Sequence, residues 1–344
     1  MRDELSPTLI RRGLRTRLIG QDITYLRTVD STNTVAARAA SRGAADGLLV
    51  IAEEQTAGRG RLGRRWESPP GVGLWFSLVF RPPDLPLTAM NRLLMLTGCA
   101  VAQAIEQVAH LSAWLKWPND VLVNGRKVGG LLGQAALTPP PIGVNLRRGR
   151  LEIAPGSRRH CLRLPDRPPA RTGASTPVDA WPQAPEVRLE SLNLTPVTLP
   201  PGPLPSPNIG AEGVWGRGES LDWAIVGVGL NVNADAATMQ AIAPHASSLL
   251  VERGQPVSRV RLLRAILESI EPRYDALRAG ETERLRAEWA ARLATLGQQV
   301  TVTTPAGALE GLAEDVDADG ALLLRLPDGR LERLLAGDVT LRTT

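Results

Sequence analysis

Apolar positions along this chain follow two rhythms. Leu48-Leu49-Val50-Ile51-Ala52, the run GVGLWFSLVF at 71–80 and LDWAIVGVGLNVN at 221–233 are nearly continuous, and each predicts a buried strand. Residues 88–109 instead place Leu93, Leu94, Leu96, Ala100, Val101, Ala104, Ile105 and Val108 at helical spacing, which predicts a core-packing helix with His110 at its end. Residues 258–271 and 282–294 predict two amphipathic helices, with Ser258 and Thr282 as N-caps and Pro272 ending or kinking the first. From Gln298 onward the texture is short strands at 300–303, 309–316, 321–326 and 330–335, turning at Asp319-Gly320 and Asp328-Gly329. That spacing predicts a small C-terminal β-barrel domain.

Two stretches carry turn or cap chemistry. DSTNTVAARAASRG opens on Asp30, Ser31 and Thr32, all good N-cap types, and closes on Gly43 as a helix stop. It is either simply a well-capped helix or one whose exposed hydroxyls and amide bind a polar ligand. In WLKWPNDVLVNGRKVGGLLGQ, residues 114–134, Asn124-Gly125 between apolar runs predicts a hairpin with a type I′ turn. Gly129-Gly130 removes two side chains from a strand, which signals close approach of a ligand or another backbone.

Residues 139–218 break both rhythms. They hold 16 of the chain's 28 prolines and predict a long surface insertion, largely disordered or extended, with Trp181 and Trp215 as possible anchors. Charge follows the same division. The net charge is +5, but the insertion has ten arginines against six acids, leaving 30 basic and 29 acidic side chains elsewhere. A basic face for specific DNA binding is therefore not expected on a folded element. No segment reaches 18 uninterrupted apolar residues and the N-terminus lacks an apolar secretory core, so no membrane association and a cytoplasmic protein are expected. Cys99 and Cys161 are far apart, and His110, His160 and His245 share no spacing, which argues no disulfide framework or metal site.

The chemistry concentrates in QTAGRGRLGRRW, residues 55–66, where Gly58, Gly60 and Gly63 sit among Arg59, Arg61, Arg64 and Arg65. Glycine lets backbone N–H groups approach an anion, and arginine adds forked donors. The literal G-x-G-x-x-G needs a helix at its third glycine to hold a pyrophosphate, whereas this loop runs into Pro69-Pro70-Gly71. An anion clamp and a solvated basic hairpin loop both remain open on these residues. Of 40 basic residues only Lys116 and Lys127 are lysines, which marks them as places where a compact ammonium is needed.

Four motifs together resemble the biotin protein ligases (biotin–acetyl-CoA-carboxylase ligases): DSTN at 30–33, EEQTAGRGRLGRRW at 53–66, KWPNDVLVNGRKVGGLL at 116–132 and GVGLNVN at 227–233. The resemblance implies an α+β fold, with a mixed, mostly antiparallel sheet flanked by helices and the C-terminal barrel. It divides the chain into a lead-in at 1–29, a biotin- and ATP-binding catalytic domain at 30–296 that contains the insertion, and a barrel at 297–344. It implies that biotin and ATP, with Mg²⁺, form biotinyl-5′-AMP, and that a lysine of a biotin carboxyl carrier protein or domain then takes the biotin. By motif, Ser31, Thr32, Asn33, Gln55, Arg59, Gly60, Arg61, Lys127 and Gly130 bind biotin, with Arg61 and Lys127 catalytic. Arg64, Trp66, Lys116, Asn119, Asp120 and Asn231 surround the nucleotide, and the metal ligands are not identified. The insertion departs from the family pattern, as does Gln134 where many relatives are acidic. With no N-terminal DNA-binding domain, a monofunctional enzyme, monomer or homodimer, is expected. A lipoate-attaching relative, a nucleic-acid-binding regulator and a catalytically silent scaffold are the alternatives.

Overall fold

The computed structural model describes residues 5–82, 86, 89–137, 144–147, 150–153, 221–304 and 306–341. In chain order the first elements are α1 (Pro7–Arg11), β1 (Ile23–Val29), α2 (Thr32–Ser41), β2 (Leu49–Gln55), β3 (Gly73–Phe80) and α3 (Ala89–Ala109). Then come β4 (Ala113–Lys116), β5 (Asp120–Val123), β6 (Arg126–Leu137), β7 (Val144–Arg147), β8 (Arg150–Ile153) and β9 (Leu221–Asn231). The helices α4 (Ala236–Ile242), α5 (Leu249–Arg253), α6 (Arg259–Arg278) and α7 (Thr282–Arg292) precede the C-terminal strands. Those are β10 (Gln299–Thr304), β11 (Gly307–Val316), β12 (Leu322–Arg325), β13 (Leu331–Leu334) and β14 (Asp338–Leu341).

Seven strands form one sheet in the order β1-β2-β3-β9-β6-β5-β4. Only β1 and β2 are parallel, so the sheet is mixed and mostly antiparallel, as the resemblance implied. Every residue of β3 is buried, because helices cover both of its faces. On one side α3 and α6 build the main core. On the other, Ala36 and Ala40 of α2 pack with Val50, Val79 and Ile225.

The predicted Asn124-Gly125 turn forms between β5 and β6, and both residues have the positive φ (49° and 74°) that a type I′ turn requires. His110 follows α3 at φ 56°, a helix-end position. Two local expectations need correction. First, α6 runs through Pro272 without ending there. A helix-interior proline costs roughly 3 kcal/mol. Tyr274 and Leu277 beyond it are both buried on the same stripe as Ile266 and Ile270, at roughly 1.5–3 kcal/mol per large side chain, so packing wins. Second, the N-cap of α7 is Glu281, without a side-chain capping bond, and Thr282 is the first helical residue.

The last five strands form an antiparallel sheet, β13-β12-β11-β10-β14. Among the described residues β13 and β14 are its edges, so it is a small sheet domain and not a closed barrel. Its final strand, β14, lies outside the four strands that periodicity predicted. The sheet is fastened to the body by Trp117, whose Nε1 donates to Gly320 O (3.0 Å), and by Arg92, which pairs with Asp319 (2.8 Å). Within the insertion, β7 and β8 form an antiparallel hairpin, described by itself. The remainder of that expectation, with Cys161, His160, Trp181 and Trp215, lies outside the described residues.

Candidate active site

Several element ends converge on one cavity of about 530 Å³. Ser31 occupies the N-cap position of α2, but its side chain makes no capping bond. Thr32 and Asn33 fill the first turn, and Gln55 closes β2. Gln55 Oε1 accepts from the backbone N–H of Thr32 (2.9 Å) and from its hydroxyl (3.0 Å), while Gln55 Nε2 donates to Ser68 Oγ (2.9 Å). Two residues before it, the Glu53 carboxylate takes a buried ion pair from Arg259 (2.7 Å), bracing β2 where the arginine loop leaves it.

That loop doubles back on itself. Gly60 N–H donates to Arg64 O (2.7 Å) and Trp66 N–H to Gly58 O (2.9 Å). A Cβ on Gly58 would stand 2.3 Å from Trp66 O, so this fold of the loop requires glycine there. The turn at its tip is a short 3₁₀ segment, Arg61–Gly63, with Leu62 at φ 55°. Trp66 then lies over the sheet at β9: a Cβ on Gly229 would come within 2.6 Å of its Nε1, a buried atom with no hydrogen-bond partner among the described residues.

The opposite wall is the β4–β5–β6 segment. Asn119 fixes the turn before β5 by donating from Nδ2 to Leu131 O (2.6 Å) and accepting the Leu131 N–H at its own carbonyl (2.9 Å). Lys127 Nζ sits 2.6 Å from Asp120 Oδ1 and 5.4 Å from the centre of the Trp66 ring. Gly130 pairs with Asp120 on one side and Gly229 on the other, and a Cβ there would touch Trp66 and Lys127 at 3.6 Å. The double glycine therefore serves two ends: at Gly129 another backbone is close, Gly229 O at 2.9 Å from a would-be Cβ, and Gly130 faces the cavity.

Arg61 joins the two walls. Its Nη1 donates to Asn119 Oδ1 (3.3 Å) and to Gly337 O (3.1 Å), and lies 3.7 Å from Asp338 Oδ1. Burial pushes its guanidinium below the ordinary arginine value, with the Asp120 charge opposing the shift and Arg64 adding to it. Arg64 also pairs with Asp338.

Ser31, Thr32, Asn33, Gln55, Arg59, Gly60, Arg61, Arg64, Trp66, Lys116, Asn119, Asp120, Lys127, Gly130 and Asn231 all line this cavity. The structure thus brings together every residue to which the resemblance gives a biotin, catalytic or nucleotide role. Asn233, the last residue of the GVGLNVN motif, is not part of the lining and is bound to Val257 by both ends of its amide (2.9 Å each). Sequence reasoning missed Ser77, Gly227 and Asp338. Ser77 is fully buried and bonds Thr32 and Asn33. Gly227 seats the Asn33 amide, whose Oδ1 would be 2.1 Å from a Cβ. Its spacing from Gly229 in a buried strand was the one available signal.

The family described as Biotin/lipoate A/B protein ligase family matches residues 25–136, and Biotin protein ligase C terminal domain matches residues 295–342. The biotin–[acetyl-CoA-carboxylase] ligase of Mycobacterium tuberculosis is 28% identical over 98% of this chain and 97% of its own length. A bifunctional ligase/repressor BirA of Bacillus subtilis is 28% identical over 98% of this chain and 79% of its own. In fold, the chain is similar to a biotin protein ligase from Aquifex aeolicus solved with biotin and ATP, with a TM-score of 0.60 at 22% identity over 94% of this chain and all of the other. Residues 25–136 are thus similar to the biotin/lipoate A/B protein ligases, and residues 295–342 to the C-terminal domain of the biotin protein ligases.

Proposed function

We propose that this protein is a biotin protein ligase, activating biotin with ATP to biotinyl-5′-AMP and passing the biotin to a lysine of a biotin carboxyl carrier protein, as in acetyl-CoA carboxylase. The observation that carries this reading is the single cavity in which the Arg61 loop and the Lys127 hairpin meet. In the first step the biotin carboxylate attacks the α-phosphate of ATP and pyrophosphate leaves. Two anions must be held together, and fixed cations offset both their repulsion and the charge that grows during transfer.

In this reading Ser31, Thr32, Asn33 and Gln55 hold the biotin head group, and Gly130 leaves it room. Arg59, Gly60 and Arg61 close over biotin and the phosphate, and Lys127 bridges the carboxylate and the phosphoryl oxygens. Arg64, Trp66, Lys116, Asn119, Asp120 and Asn231 surround the nucleotide. In the second step the acceptor's amine attacks the anhydride carbonyl and AMP leaves, with the loop keeping water from the reactive bond. The division into a catalytic domain at 30–296 and a C-terminal domain at 297–344 belongs to the same proposal. So does action in the cytoplasm, where ATP is available; no helix among the described residues is long and apolar enough to cross a membrane.

Magnesium accompanies ATP in such chemistry, neutralising phosphate charge. No cluster of three or more potential metal-ligating side chains occurs among the described residues. Of the carboxylates lining the cavity, Glu67 and Asp338 pair with arginines and Asp120 with Lys127. This donor set suits a metal carried by the phosphates, with Asp120 the carboxylate that would help hold it.

Biotin-stimulated ATP–pyrophosphate exchange, followed by biotin transfer to a carrier domain, tests the proposal. Exchange that responds to biotin and not to lipoate is the expected result. Exchange that responds only to lipoate, or to neither, would overturn it.

A further inference from the structure

One wall of the cavity is a hydrogen-bonded cluster drawn from α2, β2 and β3. Ser77 of β3 stands opposite Gly227 of β9, fully buried, with Oγ 2.8 Å from Thr32 Oγ1 and 2.7 Å from Asn33 Oδ1. Thr32 Oγ1 lies 3.0 Å from Gln55 Oε1. Neighbours that admit only one assignment fix both amides. The Thr32 backbone N–H requires an oxygen at Gln55 Oε1, and the Leu132 carbonyl, 3.4 Å from Asn33 Nδ2, requires a nitrogen there.

The protons can then be counted. Gln55 Oε1 and Asn33 Oδ1 only accept, and each hydroxyl has one proton to give. The chain Gln55–Thr32–Ser77–Asn33 makes three oxygen–oxygen contacts with two hydroxyl protons. However the hydroxyls rotate, one contact lacks a proton, and an acceptor in this wall stays open to a donor from the cavity. Thr32 and Asn33, which line the cavity, are the residues that present it.

We propose that Ser77 is a positioning residue that sets substrate specificity: by bonding both Thr32 and Asn33 it holds their oxygens in place as acceptors for ligand N–H groups, and so favours a ureido head over an apolar acyl ring. The inference rests on the ligase reading. A site built to bond a substrate N–H rejects an analogue lacking it far more strongly than an apolar pocket rejects a change of size, because its own polar groups are left unpaired. Biotin offers two such N–H groups on its ring, and the dithiolane of lipoate offers none.

The test compares the wild type with Ser77→Ala, using biotin and lipoate as probes in calorimetry and in pyrophosphate exchange, with the melting temperature recorded. Ser77→Cys, nearly the same size but a weaker donor, carries the test if the alanine variant does not fold. The expected result is a rise of about 10-fold or more in the KM and Kd for biotin, as for losing one good hydrogen bond. The KM for ATP should stay within about twofold, and the biotin-to-lipoate preference should narrow. Unchanged biotin affinity in a folded variant overturns the role of Ser77, as does equal weakening of biotin and ATP. A wild type that binds no biotin refutes the ligase reading instead, so the two failures are distinguishable.

Discussion

Lys127 Nζ sits 2.6 Å from Asp120 Oδ1, an ion pair made between two strands of one hairpin and half-buried in the cavity wall. The carboxylate holds a compact ammonium at a set height above Gly130, next to the Trp66 ring. Lys127→Ala is expected to slow biotin-dependent pyrophosphate exchange by at least ~10²-fold, the scale of losing one charge-stabilising donor. Lys127→Arg should also be impaired, because a planar fork cannot occupy the place of an ammonium between Asp120 and Trp66. Full activity in the arginine variant would remove Lys127 from its proposed role.

Asp338, at the start of β14, gathers Arg61 and Arg64 from a loop 274 residues earlier in the chain. It therefore fastens the arginine loop to the C-terminal sheet. Asp338→Asn should loosen that attachment and leave the core intact. The measurable outcome is faster limited cleavage by trypsin after Arg61 and Arg64, with an unchanged melting temperature. A cleavage rate equal to that of the wild type would show that the Asp338 carboxylate does not fasten the loop.

Gly227 and Gly229 give the third test. A Cβ at 227 would meet Asn33 Oδ1 at 2.1 Å, and one at 229 would meet Trp66 Nε1 at 2.6 Å. Gly227→Ala should raise the KM for biotin, because Asn33 must move off its seat. Gly229→Ala should displace Trp66 and raise the KM for ATP more than that for biotin. Steady-state kinetics on both variants check this, and a reversed pattern would exchange the roles given to the two ends of the cavity.

Cys99 on α3 is fully buried, and burial pushes its thiol up to about 12. At pH 8 it should stay protonated and unreactive towards iodoacetamide in the folded protein, then be labelled readily in denaturant. Peptide-resolved mass spectrometry reads this site separately from Cys161. Labelling of native Cys99 at the rate of a free thiol would mean that α3 opens far more easily than its packing implies.

The site was more legible in the sequence than its supports were. Gln55, Arg61, Asn119 and Lys127 stand in short runs that resemble the motifs of the biotin protein ligases, and that resemblance grouped them before their place in the fold was known. Ser77 could not be read this way, because its importance depends on β3 lying beside β9, a neighbour more than 140 residues away. Asp338 was missed because β14 follows the last clear turn signal, Asp328-Gly329. That α6 does not end at Pro272 has a physical reason: a local cost of roughly 3 kcal/mol yields to the buried stripe that continues through Tyr274 and Leu277.

The insertion departs from Leu137 and returns at Leu221, which are paired neighbours on adjacent antiparallel strands. Closing a longer loop between ends already side by side adds only about 0.6 kcal/mol per doubling of its length. Gly130, which faces the cavity, lies seven positions back along β6, roughly 23 Å at strand rise. The enzyme thus offers a natural splice point, where a reporter, an affinity handle or a targeting module could be grafted without crowding the chemistry.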